Sequence, residues 1–199
     1  MNRFRNIVIE MVHFVCFPLR VFFSDGLVEK MGLRTLETER IRFCRRFLKG
    51  VVLDVGCGMK NRLINEYGSG VGIDVNFWPS IHVLCDTENM PFQNASFDSA
   101  VLLASLNYIP NKQKVLKEIK RVLKKDGIVL VTMINPFIGF VHHRIFRLWN
   151  LKLQREIGQV EYGLWGKQIK ELFNQAGIEY KKKVPFLYGL NTLHLGAVE

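Results

Sequence analysis

The chain predicts a three-layer α/β domain around a mainly parallel sheet, from three observations. Short, almost wholly apolar runs rich in β-branched residues, such as 51–55 (VVLDV) and 128–133 (IVLVTM), have the composition of strands covered on both faces. Between such runs lie amphipathic helical stretches and short glycine-bearing turns, the alternation that builds a parallel sheet. Two final strand-like runs follow each other with no room for a helix, which places an antiparallel hairpin at one side of the sheet.

Along the chain, residues 35–48 form the first helix of the domain, with Leu36, Ile41, Phe43, Phe47 and Leu48 interleaved with charge and Gly50 closing it. The strand at 51–55 follows. A short helix at 59–67 and strands at 70–74, 81–85 and 97–104 continue the pattern. Residues 112–123 are an amphipathic helix, with Val115, Leu116, Ile119, Val122 and Leu123 inward and lysines opposite. A turn at 125–127 leads to the strand at 128–133. A helix at 166–175 closes on Gly177, and 178–184 with 192–198 supply the hairpin.

The 199 residues divide into an N-terminal segment, 1–34, and one domain, 35–199, with an amphipathic insertion near 137–160. Residues 7–23 are mostly apolar, but Glu10, His13, Pro18 and Arg20 interrupt them. A spanning helix needs about 20 predominantly apolar residues, so the expectation is a helix that packs on the domain or lies in a membrane interface. Cys16, Cys44, Cys57 and Cys85 form no CxxC pair, which argues against zinc, gives no disulfide framework and points to a reducing, cytoplasmic setting. The formal net charge is +10, and its natural counterparts are nucleic acid and an anionic membrane surface.

The chemistry concentrates in 53–58 (LDVGCG), directly after the first buried strand. Gly56 and Gly58 allow a tight turn and a close ligand approach, and Asp54 is an acid at the end of an apolar strand, where burial is costly unless something satisfies it. Asp74 ends the second strand, where an acid can accept both hydroxyls of a ribose. Asp86 follows the third and can accept from an exocyclic amine. All three acids fall at the carboxyl ends of strands, where open α/β sheets bind ligands. They disfavour a pyrophosphate, and no GxxxxGK[ST] run is present. A nucleoside that carries an amino acid and a positive centre suits them better.

These stretches resemble the class I S-adenosylmethionine-dependent methyltransferases, in the subgroup of small-molecule and lipid methylating enzymes. The matching runs are VVLDVGCG at 51–58, GIDV at 72–75, CDTENMPFQNASFDSAVL at 85–102 and VLKEIKRVLKKDGIVLVT at 115–132. The resemblance implies a Rossmann-like, seven-stranded, mostly parallel sheet between two helical layers, with the last strand antiparallel. It implies that Asp54, Gly56 and Gly58 surround the methionine part of S-adenosylmethionine. Asp74 with Val75 would hold the ribose, and Asp86, Thr87 and Met90 the adenine region. Ser105 and Leu106 would line the cofactor and acceptor side. The chain departs from the family at Lys60, where a third glycine is frequent. It departs again at Leu106-Asn107-Tyr108, where a histidine base is frequent and here absent; Asn107 and Tyr108 are left to position an acceptor.

The cofactor carries the activated methyl group, so the protein need only align and desolvate the reactants. A general base, where an acceptor requires one, would come from His142, His143, Glu161 or Tyr162. Residues 137–153 (FIGFVHHRIFRLWNLKL) combine large apolar side chains with Arg144, Arg147 and Lys152. That composition suits an interfacial helix or an apolar cap, and with the N-terminal segment it points to a small-molecule or lipid-like acceptor at an anionic membrane. No nucleic-acid module is recognisable. Two other readings compete: a non-catalytic methyltransferase-like nucleoside-binding protein, and an NAD-dependent oxidoreductase, which would need a fuller GxGxxG than DVGCGMK offers.

Overall fold

The structure, a computed structural model, describes residues 11, 12, 15, 25–140 and 163–199. Seven strands form one sheet: β1 (Val52–Val55), β2 (Gly70–Asp74), β3 (Val83–Leu84), β4 (Phe97–Leu103), β5 (Leu123–Ile134), β6 (Glu179–Phe186) and β7 (Asn191–Ala197). Their order is β3-β2-β1-β4-β5-β7-β6. Strands β1 to β5 pair in parallel, whereas β7 runs antiparallel to both β5 and β6. The expected hairpin is therefore β6–β7, with β7 wedged between its partner and the parallel block.

Two helical layers cover the sheet. On one face lie α2 (Leu36–Cys44) and α3 (Arg62–Tyr67), with α1 (Asp25–Lys30) tied to the start of α3 by Glu29 and Arg62, and on the other α4 (Lys112–Val122) and α5 (Gly166–Ala176). Because side chains alternate along a strand, each strand feeds two cores. Leu53, Val55, Ala100, Leu102, Val129 and Val131 meet the apolar stripes of α4 and α5 in the larger one. Val52, Val101, Leu130 and Leu193 pack with Ile41, Cys44, Leu63 and Ile64 in the smaller one, where the Phe43 and Phe186 rings stack at 4.3 Å.

Several element boundaries differ from the sequence expectation, among them the helix expected at 59–67, which begins at Arg62. Helix α2 starts where expected, with Thr35 Oγ1 accepting from Thr38 N at 3.2 Å, but ends at Cys44 instead of residue 48. The chain must turn there to bring Lys49 to Ser99, whose hydroxyl accepts from Lys49 N at 3.0 Å and donates to Lys49 O at 2.8 Å. Strand β3 is two residues long, because only Val83 and Leu84 find register partners on β2. Helix α4 passes straight into β5, since Leu123 already pairs with Phe97. The expected turn at 125–127 survives inside that strand as a kink at Asp126 (φ 62°), held by Asp126 N to Val198 O at 3.0 Å and Val198 N to Gly127 O at 2.9 Å.

Candidate functional site

The carboxyl ends of β1, β2, β4 and β5 open at one edge of the sheet, and the loop after β1 lies at its centre. Gly56 N and Cys57 N both donate to Ile73 O, at 2.9 and 3.0 Å, so the loop folds back across the end of β2. Gly56 (φ 75°) packs on the loop after β4: a Cβ added there would lie 2.7 Å from Ser105 Cβ. Ser105 Oγ donates to Val55 O at 2.7 Å and pins the two loops together. Gly58 (φ 67°) differs, because a Cβ added there would meet no atom within 4 Å. One glycine permits loop packing, and the other keeps an open face above the strand ends.

Two carboxylates flank that face. Asp74 is buried at the end of β2. Its Oδ2 accepts from Gly58 N at 3.1 Å and its Oδ1 from Asn76 N at 2.9 Å, so this acid organises the loops on either side while keeping lone pairs to spare. Asp54 is buried on β1, and its Oδ1 has no hydrogen-bond partner. Burial, then the charges of Glu37 and Asp74, push its carboxyl up to about 8. A bare buried acid is costly, and a cationic group beside it would restore its ionised form. The same burial, with Asp54 and Asp74 adding to it, pushes the Cys57 thiol up to about 12, which leaves it inert.

The next loop is tied on by Cys85 N, which donates to Asp74 O at 3.1 Å. Asp86 is exposed there, and its Oδ1 caps a turn by accepting from Glu88 N at 2.9 Å. Thr87 and Met90 are buried beside it. Arg121 of α4 holds this loop from below: its guanidinium donates to Met90 O, Phe92 O and Asn94 Oδ1 while pairing with Glu118 at 2.8 Å. Glu118 in turn accepts from Met90 N at 3.0 Å. After β4, Leu106 lies wholly in the larger core and so supports the site from beneath. Asn107 is buried in the same 3-10 turn, and Tyr108 is exposed. Val75 is exposed next to Asp74. His142, His143, Glu161 and Tyr162 lie outside the described residues.

Sequence reasoning did not single out Glu37, Arg40, Arg62, Arg121 or Asn191. Glu37 sits in the first turn of α2 and pairs with Arg62 at 3.4 Å, close enough to Asp54 to raise its pKa. Arg62 also bonds Glu29 of α1, and Lys60 reaches Glu29 at 3.3 Å, so the position where a third glycine is frequent instead latches α1 onto the loop. Arg40 Nε donates to Asn191 Oδ1 at 2.9 Å, which ties α2 to the start of β7.

These features fit S-adenosylmethionine. An open cradle at Gly58, a partnerless buried carboxylate and a second carboxylate at the adjacent strand end match a nucleoside with a cationic amino-acid tail. They oppose a pyrophosphate, which would add negative charge beside Asp54.

Comparison with known proteins agrees. A family model described as a methyltransferase domain matches residues 53–131. An uncharacterized protein of Methanocaldococcus jannaschii, MJ1252, is 34% identical over 124 residues, which cover 57% of this chain and 48% of that protein, so the chain spans about half of that relative's length. Demethylmenaquinone methyltransferase of Staphylococcus haemolyticus is 26% identical over 179 residues, covering 72% of this chain and 74% of that one. The fold matches a SAM-dependent methyltransferase from Aquifex aeolicus with a TM-score of 0.61 and 17% identity, over 89% of this chain and 100% of the other. Residues 53–131 thus match a methyltransferase domain, and the fold around them is like that of a solved SAM-dependent methyltransferase.

Proposed function

We propose that this chain transfers the methyl group of S-adenosylmethionine to a small, amphiphilic, lipid-like acceptor. The observation that carries the transfer is the open face at Gly58 between the Asp54 and Asp74 carboxylates. The lipid-like acceptor is supported by the apolar and basic composition of 137–153 and by the relative named for demethylmenaquinone.

The cofactor, when bound, supplies an activated methyl group on a positive sulfur. The chain supplies alignment and exclusion of water. Asp74 organises the loop that holds the ribose side, and Asp54 offers the cationic tail an anionic partner. Ser105 fixes the loop after β4 against that cradle, so Asn107 and Tyr108 are presented to the acceptor at a set distance.

Calorimetric titration with S-adenosylhomocysteine, with NADH as comparison, tests the cofactor on wild type and Asp74→Ala. Binding of the first that weakens at least tenfold in the variant is expected. A preference for NADH, or no binding by folded protein, would remove the proposal. Turnover of a lipid extract, and none of water-soluble amines, tests the acceptor class.

A further inference from the structure

The sheet has two unlike ends. At the amino end of the parallel strands, charge closes the surface: Lys124 pairs with Asp98 at 2.9 Å, Asp98 accepts from Val51 N, and Lys49 Nζ donates to Asp126 O. Val51 is an exposed large apolar side chain at that end.

The carboxyl end is the reverse. Met59 follows β1 and Phe77 follows β2, 75% exposed. Phe137 follows β5, 66% exposed. Trp165 opens α5, whose far end feeds β6 at the amino edge, so its 11 residues carry Trp165 about 16 Å back toward the carboxyl edge. Leu27 and Met31, one turn apart around α1, are exposed and join this end because Glu29 between them is latched to Lys60 and Arg62. Six large apolar side chains, from the segments after β1, β2 and β5, the start of α5 and α1, are therefore exposed at the cofactor end of the sheet. Soluble surfaces scatter such residues singly, and their gathering at one end marks a contact surface.

We infer that this rim docks the cofactor end onto an anionic lipid surface, from which the acceptor reaches the cleft. The inference rests, for its purpose, on the amphiphilic acceptor proposed above. Charge points to the occupant. The formal net charge is +10, Lys112 and Lys167 open the two helices at this end, and Lys181, Lys182 and Lys183 run along β6. An anionic headgroup layer attracts such a body from beyond contact distance, and aromatic and aliphatic side chains then anchor in its interface. The rim also stands at the end of the sheet where Gly58 keeps an open face. A folded protein seated on it would close the cleft, whereas a fluid lipid face covers the apolar side chains and still delivers an amphiphile.

Co-sedimentation of the full chain with phosphatidylcholine vesicles, with and without phosphatidylglycerol, tests this. Wild type is expected to bind the anionic vesicles and to be released by high salt. The combined variant Phe77→Ser, Phe137→Ser, Trp165→Ser is expected to lose about tenfold or more in vesicle affinity, from the value of burying even one such side chain. Val51→Ser at the opposite end leaves it unchanged. S-adenosylhomocysteine binding, measured on every protein, reports that fold and cleft are intact. Absence of vesicle binding by wild type, equal binding by the combined variant, or a loss at Val51→Ser equal to that at the rim would each overturn the docking. Vesicle binding without homocysteine-product binding would instead overturn the methyltransferase proposal alone.

Discussion

Replacing Asp54 with Asn separates a cofactor acid from a merely buried one, because the two differ in how they release a proton. The Asp54 carboxyl is pushed from an ordinary 3.8 up to about 8 by burial, with Glu37 and Asp74 adding to it. At pH 7 most molecules therefore keep it protonated, and ionising it for a cationic ligand costs on the order of 1 kcal/mol. At pH 6 that cost rises to roughly 3 kcal/mol, and near pH 8 it almost vanishes. The affinity for S-adenosylhomocysteine, whose amino group is cationic below pH 8, is expected to rise about ninefold from pH 6 to 7 and about fivefold more to pH 8. Close to one proton leaves per ligand bound at the low end. Calorimetry in two buffers of different ionisation enthalpy measures that proton directly. Asp54→Asn should bind with a flat profile and release none. A flat wild-type profile with no proton release would refute the assignment of Asp54 to the ligand's cationic group. Stability gives an independent check. Between about 3.8 and 8 the folded chain holds the Asp54 proton and the unfolded chain does not. The contribution of this group therefore falls as pH rises through that window, by about 1.4 kcal/mol per unit at its steepest, and the Asn variant lacks the slope.

The two loop glycines should part company. Gly58→Ala costs the fold about 1–2 kcal/mol for its left-handed backbone, yet cuts homocysteine-product affinity because the methyl enters the cradle; Gly56→Ala also collides with Ser105 and lowers the denaturation midpoint further. Wild-type affinity in Gly58→Ala would show that the open face is not the ligand's. Arg121→Ala frees the carbonyls of Met90 and Phe92 and is expected to cost about 2 kcal/mol in urea unfolding, with weaker cofactor binding as the 86–90 loop loosens. His194, buried on β7 and bonded at Nδ1 to Tyr180 Oη at 2.9 Å, is held down to about 4 by burial and Lys183. Its stabilising contribution is full above pH 6.5 and is lost as pH falls toward 4; NMR titration of its ring near 6.5 would contradict that.

Much of this was legible in the chain because it is local. Strand runs at 51–55, 70–74 and 97–104, the 112–123 helix and the β6–β7 hairpin follow from periodicity and loop length. The topology follows because parallel neighbours demand crossovers. Asp54, Gly56, Gly58 and Asp74 stood out because each ends or follows a buried strand, and the structure brings them to one edge. The contacts that seat them were not legible. Glu37 and Arg62 read as ordinary helix-surface charge, and Arg121 as one basic residue among the lysines of α4. Apart from Glu118 on the same helix, their partners lie 24 to 33 residues away and meet only after the layers pack. The α4–β5 boundary was misplaced for the same reason: the partner that pulls Leu123 into the sheet is Phe97, which helical periodicity cannot see.

The position of β7 bears on how the chain is made. Strand β6 is synthesised first but has no seat of its own, since its only neighbour in the sheet is β7. Until residues 191–197 have left the ribosome, β5 therefore presents an open, strongly apolar edge, the kind that pairs with other chains. The cofactor half of the sheet, β1 to β4, can be paired by then. A nascent chain stalled near residue 190 would thus be half-built and adhesive, and capture of that edge by a holding chaperone is the step on which its yield in a cell would turn.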